Sequence, residues 1–475
     1  MQEVGTMGSM KEYDICVIGA GAAGLVAASA ANRSGARTAL IERDQIGGEC
    51  LHTGCIPSKT FLFSANQYYN AKNAEQYGLP VCHAGAPDLG KVMGHVRDVI
   101  DSITQYENKE AYQKMGIDVY VGKNHFVSKN ILSVNGNELF SKYFIICTGS
   151  SALVPPLDGL QDIPYLTNKN FWDQKTLPRR TLILGAGPIG IELGQALQRL
   201  GSEVFLTMRS DRILHKEDAE IAEEMKKILQ SDGIQFLDNT TVLGFKRDNS
   251  RIIARYTRNG SEQELIVDAV LVAIGRRPNI EELDLENAGV AYRKEGILVN
   301  DELMTTTENI YACGDVIGKY LLSQAASNYA RIAVNNIVNS EKMTISGSVM
   351  PWVIFTTPEL ARVGFTENEA REKFGDVNIL RLDTVFGRLR TENSTKVFLK
   401  IILTGDDTIV GAHAIGTGAG EYIQNLTLAI QDHITVKQMA ETIYPYPTFS
   451  EIVKKAFSRY LRSKQSAPTG TRTRV

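Results

Sequence analysis

Cysteine is scarce in this chain: six residues in 475, too few for a disulfide-built scaffold, so any close pair of them needs a chemical explanation. Net charge is nearly absent. Fifty-one basic and 54 acidic side chains leave −3, which gives no electrostatic footprint for nucleic acid. No apolar run reaches the roughly 18 residues that a membrane-crossing helix requires. The opening MQEVGTMGSMKEYD has neither an apolar signal core nor the Arg-rich amphipathic character of a transit peptide. The fold is therefore expected to start near Met10, and the protein to be cytoplasmic. What is present is ordinary globular material, 43% hydrophobic and 22% charged, with length for about three domains.

An internal repeat is the first positive signal. The apolar run Ile15 to Ile18 ends in Gly19-x-Gly21-x-x-Gly24, an Ala-rich helical stretch follows, Gly35 breaks it, and a second strand, TALIE, ends at Glu42. This is the strand–turn–helix–strand context of a dinucleotide fingerprint. The first glycine permits the tight turn, the second lets backbone approach a pyrophosphate, and the third allows close helix–strand packing. Phosphates then sit at the helix N-terminus, where free N–H groups favour an anion, and Glu42 is placed to bind a ribose hydroxyl.

The pattern returns at 181–190, TLILGAGPIG, with Gly185, Gly187 and Gly190. The helix-ending glycine lies 16 residues past the first glycine in both copies (35 − 19 and 201 − 185), and the second strand is expected to end 23 residues past it (Glu42 and Met208). Two matching spacings imply two dinucleotide sites. They differ at the discriminating position, where the second copy has Met208 and then Arg209, with Arg212 nearby. A carboxylate there selects a free 2′-hydroxyl, whereas arginine accommodates a 2′-phosphate, so the second site is read as preferring NADPH over NADH. Arg209 as a plain surface cation is the competing reading.

Directly after the first repeat comes GGECLHTGCIPSK, residues 47–59. In one regular helix Cys50 and Cys55 would stand about 7.5 Å apart along the axis and about 140° apart around it. A disulfide needs Cα atoms within about 4.4–6.8 Å, so the pair can bridge only if the segment is irregular, which its glycines permit. Pro57 then suits a first helical turn. A zinc site is short of ligands, with only His52 close by. Unpaired structural cysteines remain possible. A redox dithiol beside a dinucleotide has the clearest logic, because a flavin can couple hydride donation to disulfide reduction. Cys16, Cys147 and Cys313 lie in apolar strand-like runs and read as inert, and Cys82 has no evident role.

From about Lys11 to about Leu461 the sequence resembles the flavin-dependent pyridine nucleotide–disulfide oxidoreductases, a family that includes dihydrolipoamide dehydrogenase, glutathione reductase and mercuric reductase. CLHTGCIPSK is similar to its redox-disulfide signature, and FIICTGS (144–150), VLVAIGRRPN (270–279) and NIYACGD (309–315) match further motifs. The resemblance implies an α/β fold with two Rossmann-like dinucleotide-binding domains, for FAD and NAD(P), and a C-terminal α+β dimerisation domain. It implies FAD at the first fingerprint and the nicotinamide cofactor at the second, with Gly48, Thr148, Gly149, Gly275, Gly314 and Asp315 among the cofactor contacts. Cys55 would be the thiol against the flavin and Cys50 the interchange thiol that meets the acceptor. Lys59 would lie by the flavin ring, paired with Glu192, and Asp315 would bind the ribityl chain.

The expected domains are 11–152 and 278–350 for FAD, 153–277 for the nicotinamide cofactor, 351–462 for the dimer interface, and a disordered tail at 463–475. Helices are expected near 60–75 and 88–114, and turns at Asn135-Gly136 and Gly405-Asp406-Asp407.

One position departs from the disulfide reductases. There a histidine before Pro-Thr near the C-terminus serves the partner subunit's interchange thiol, and a glutamate five residues on orients it. Here Tyr446 precedes Pro447-Thr448, Glu451 is retained, and the last histidine is His433. Tyrosine ionises near pH 10, so about one in a thousand is charged near neutrality, whereas imidazole exchanges protons there. Tyrosine at this position resembles mercuric reductase, whose thiophilic metal substrate needs thiolate ligands rather than a proton shuttle. Against that stand the expected lack of an N-terminal CxxC metal-binding domain and of any cysteine after Cys313. The leading expectation is electron transfer from NADPH through FAD to Cys50–Cys55 and on to a small-molecule or metal-ion acceptor, in a homodimer with shared active sites. The alternatives are a dihydrolipoamide dehydrogenase, a dithiol redox-sensor flavoprotein, or a quinone or dye reductase working from the flavin.

Overall fold

The computed structural model describes residues 10–80, 85–249, 251–347, 349–392 and 397–466. Its first sheet is built on β1 (Lys11–Ile18), whose residues from Ile15 to Ile18 are fully buried in the middle of the sheet, with the helix 22–33 packed on it. With β2 (Thr38–Glu42), β3 (Asp118–Val121), β4 (Asn124–Ser128), β5 (Ile131–Val134) and β6 (Asn137–Ile146), it forms the order β3-β2-β1-β6-β5-β4. The strand Ile310–Ala312, far away in sequence, joins the end of β6 in parallel and completes the seven strands. Helix α1 (Ala22–Arg33) packs against the later helix Ser323–Val338. Asn135 and Gly136 have φ of 51° and 82°, the two left-handed residues of the expected hairpin turn.

A second parallel sheet has the order Gln235–Leu237, Glu203–Thr207, Arg180–Leu184, Ala269–Val272, with a three-stranded antiparallel sheet (240–267) beside it. Its second strand stops at Thr207, one residue short of the expected Met208. Met208 still continues the ladder, donating to Leu237 O at 3.1 Å and accepting from Thr240 N at 2.9 Å. The last part is a five-stranded antiparallel sheet, order 352–354, 359–364, 409–416, 397–404, 377–384, carrying helices Ala419–Gln431, Val436–Glu441 and Glu451–Ser466. The fold is thus α/β, two Rossmann-like units followed by an α+β unit. Among the described residues no helix is long and apolar enough to cross a membrane.

Two expected elements are corrected. The helix at 88–114 is two helices, Leu89–Thr104 and Lys109–Lys114, because Asn108 Oδ1 accepts from Ala111 N at 2.9 Å and starts a new one. The expected disordered tail from 463 is helical as far as Ser466, and the rest of it lies outside the described residues.

The second parallel-sheet unit is fastened to the last sheet by buried charge. Lys400, only 2% exposed, contacts Asp218 at 2.8 Å, Glu367 at 2.8 Å and Glu220 at 3.1 Å. Burial opposes its charge, but these hydrogen bonds outweigh it and hold its pKa above the ordinary lysine value. This anchors the downstream end of the loop that carries Arg209 and Arg212.

Candidate active site

Both fingerprints turn in the same way. Gly19 and Gly185 have φ of 101° and 107°, which side-chain-bearing residues rarely adopt. A Cβ on Gly24 would lie 1.7 Å from Gly19 O, and one on Gly190 would lie 2.1 Å from Gly185 O, so each third glycine lets its helix close on its strand. At the first fingerprint a Cβ on Gly48 would meet Gly21 Cα at 2.6 Å, so the chain leading to Cys50 rests on the turn. Glu42 is fixed beside it, accepting from Ala20 N at 2.6 Å and Asp44 N at 2.8 Å. In the second copy Met208 is buried and Arg209 is exposed.

The dithiol segment is irregular where a bridge requires it. Helix α2 (Gly48–His52) ends, Thr53 and Gly54 break the path, and α3 (Cys55–Lys72) begins with Pro57 in its first turn. A Cβ on Gly54 would come within 2.8 Å of Glu49 O, so only glycine fits this close a break. Both cysteines are free thiols, and Ser323 Oγ lies 3.3 Å from each sulfur. Cys55 is drawn down to about 6, first by the hydrogen bond from the Cys50 thiol; burial opposes this, and Ser323 and the Lys59 charge reinforce it. Cys50 is pushed above the ordinary thiol range by that same hydrogen bond and by burial. The reduced pair therefore keeps one proton, on Cys50, and presents Cys55 as the thiolate.

Lys59 Nζ lies 2.8 Å from Glu192 Oε2 and 4.5 Å from the centre of the Phe355 ring, while Glu192 Oε1 accepts from Phe355 N at 2.8 Å. Elsewhere on the wall one guanidinium ties its own motif segment to three others. Arg276 donates to Ser150 O at 2.8 Å and Ser150 Oγ at 2.7 Å, pairs with Glu49, and lies 3.7 Å from Asp315 Oδ2. Ser150 Oγ in turn donates to Asp315 at 2.6 Å, and Thr148 Oγ1 donates to Asn279 O at 2.7 Å. A single cavity of about 1680 Å³ is lined by Gly19, Gly21, Glu42, Gly48, Cys50, Cys55, Lys59, Thr148, Gly149, Glu192, Gly314 and Asp315. That exceeds the roughly 300–1,000 Å³ of a drug-sized pocket and suits a dinucleotide with room for further groups. The glycine cradle and the N-terminus of α1 fit the pyrophosphate of FAD.

Residues 13–330 match the pyridine nucleotide-disulphide oxidoreductase family, and residues 350–457 match its dimerisation domain. The chain belongs to this family. Its members are FAD-dependent and use a pyridine nucleotide. A mercuric reductase of Staphylococcus aureus is 35% identical over 448 residues, covering 94% of this chain and 82% of that protein. A dihydrolipoyl dehydrogenase of Bacillus subtilis (strain 168) is 34% identical over 462 residues, covering 94% and 97%. Among solved structures, the HOCl-induced flavoprotein disulfide reductase RclA from Escherichia coli has a TM-score of 0.85 at 28% identity, covering 94% of this chain and 99% of that one.

Not every expected residue joins the cavity wall. Gly24 lies beneath it, and Gly185, Gly187, Gly190, Met208, Arg209 and Gly275 lie outside it. Tyr446 and Glu451 are also absent from the wall within one chain. Tyr446 is 77% exposed on the dimerisation domain. Glu451 starts the last helix, and its Oε2 is buried without a hydrogen-bond partner among the described residues.

Ser323 and Arg276 were not singled out from the sequence. Arg276 sits inside VLVAIGRRPN, which marks its position but not its partners. Ser323 is a serine at a helix start, an unremarkable place for one. A Ser323→Ala substitution is expected to raise the Cys55 pKa by about one, the value of one hydrogen bond to a charged group. Iodoacetamide reactivity of the reduced protein against pH measures it; an unchanged profile would leave Ser323 as packing.

Proposed function

We propose that the chain transfers two electrons from NADPH, by way of FAD, to the Cys50–Cys55 disulfide and then to a thiophilic acceptor, in the manner of mercuric reductase. The observation that carries this is the constellation of Cys50, Cys55 and Ser323 on the wall of the dinucleotide cavity, with the Lys59–Glu192 pair beside it. Bound FAD would supply the relay between hydride donor and disulfide, held by the first fingerprint, Glu42 and Asp315. One hydride equivalent cleaves the S–S bond into the Cys50 thiol and the Cys55 thiolate, so electrons and the proton balance. Lys59 stabilises the thiolate, and Ser323 orients it.

The acceptor reading rests on Tyr446. A phenol so exposed on the dimerisation domain is suited to reach the partner subunit's dithiol, and it stands where the disulfide reductases carry a histidine. Losing a positioned acid–base group removes on the order of 10²- to 10⁴-fold in rate, which disfavours rapid lipoamide turnover and leaves metal-ion capture by two sulfurs unaffected. Dihydrolipoamide dehydrogenase is kept as the second reading, because the chain spans nearly the whole length of that relative.

The deciding experiment is an anaerobic titration with NADPH and with NADH, followed by turnover with Hg(II), lipoamide, glutathione disulfide and a quinone. Hg(II) turnover with NADPH supports the proposal. Fast lipoamide turnover with NADH overturns it in favour of the dehydrogenase. For the nucleotide choice, Arg209→Ala is expected to lower kcat/KM for NADPH by about 10- to 100-fold, the value of a charge-assisted hydrogen bond, and to leave NADH unchanged. Equal losses with both nucleotides would remove Arg209 from recognition.

A further inference from the structure

Two cysteines that the proposed reaction does not use lie against each other. Cys147 and Cys313 are 166 residues apart, yet their sulfurs are 3.5 Å apart and buried. The sheet register explains this. Ile18, Ile146 and Ala312 are aligned on three adjacent parallel strands, so Cys147 and Cys313 are the next residues on neighbouring strands, and Cys313 N donates to Ile146 O at 3.0 Å. Neighbouring strands are about 4.7–4.9 Å apart, inside the window of about 4.4–6.8 Å between Cα atoms that a disulfide tolerates.

Their placement relative to the cavity differs. Cys147 lines it, while Cys313 is fully buried behind. Each cysteine immediately precedes a turn assigned to the flavin, Thr148-Gly149 in one case and Gly314-Asp315 in the other. The backbone at 147 also abuts the first fingerprint glycine, since a Cβ on Gly19 would lie 2.4 Å from Cys147 O. Cys147 faces the cavity but is only 5% exposed, so bulky thiol reagents are excluded by size and a small neutral oxidant entering from the cavity is the reagent that fits; burial also pushes this thiol up, which makes its oxidation slow.

We propose that Cys147 and Cys313 are a second disulfide-forming pair, oxidised by peroxide through the nucleotide cavity and shielded when flavin is bound there. Hydrogen peroxide converts the Cys147 thiol to a sulfenic acid and releases water. The Cys313 thiol then displaces the second water, forming the S–S bond. The bond would staple together the two turns that close on the flavin. The shielding rests on the reading of the cavity as the FAD site; the pairing itself does not.

The test uses a Cys50→Ser, Cys55→Ser protein, so that the first pair cannot contribute. Flavin-loaded and flavin-stripped samples are treated with hydrogen peroxide, free thiols are alkylated, and unreduced digests are analysed by mass spectrometry. The expected result is a peptide linking 147 to 313 in stripped protein, at least about ten times weaker in loaded protein. Absence of that peptide from stripped protein overturns the pairing, and equal amounts in both samples overturn the shielding. A protein that never takes up FAD defeats the proposed function, whereas the 147–313 peptide still reports on the pair.

Discussion

A Cys50→Ala protein is expected to accept electrons from NADPH and to pass none of them to a disulfide or metal ion. Alanine leaves the fingerprint turns, Glu42 and the Arg276 cluster untouched, so nucleotide binding and bleaching of the flavin absorbance should persist. Cys55 alone has no second sulfur with which to store two electrons. Residues that act as one unit lose nearly everything when one of them goes, so turnover with Hg(II) or disulfides should fall by on the order of 10³-fold or more. The remaining thiol also loses the hydrogen bond that is the largest cause of its acidity, so its pKa rises from about 6. Stopped-flow absorbance separates the two half-reactions. Undiminished acceptor reduction would refute the dithiol relay, and survival of quinone reduction alone would point to transfer directly from the flavin.

The second large effect is expected from Lys59→Met. The ammonium supports the Cys55 thiolate and neutralises Glu192, whose side chain is only 7% exposed. Removing a preorganised charge from a reacting centre typically costs on the order of 10²-fold, expected here in acceptor turnover. Stability should fall too. Breaking a fully buried ion pair costs about 3–5 kcal/mol; Lys59 is 36% exposed, and screening by solvent reduces this to about 1–3 kcal/mol.

The pH dependence has a definite sign. Cys55 is depressed from 9.0 to about 6, so in the reduced protein its ionisation contributes stability that is fully present above pH 9 and lost as the pH falls through about 6. Urea midpoints of the reduced protein, compared with Cys55→Ser, should therefore diverge between pH 6 and 9. In Lys59→Met that divergence should shrink, and a divergence of the original size would mean that lysine does not act on the thiolate.

Much of this protein could be read from short stretches of chain. The two fingerprints were legible because a left-handed turn and a helix crossing at van der Waals distance each exclude every residue but glycine, a constraint acting within a few positions. Helix geometry alone required the chain between Cys50 and Cys55 to be irregular if the two were to bridge. The contrast between Glu42 and Met208-Arg209 was local too, since the first ends the second strand of its repeat and the other two follow directly after theirs. The helix at 88–114 was misread because its pattern continues across Asn108, whose capping role appears only once its side chain has a backbone N–H to accept from.

Other features depend on which distant segments are packed together. Ser323 meets the sulfurs from more than 260 residues away. Arg276 joins four segments, and Lys400 draws carboxylates from two domains into one buried cluster. Cys147 meets Cys313 because three strands share a register that neither local sequence states. Local sterics write themselves into residue type and spacing. Side-chain contacts across the sheets arise instead from strand order and register, which the whole hydrophobic core selects at once, and no short stretch of chain records them.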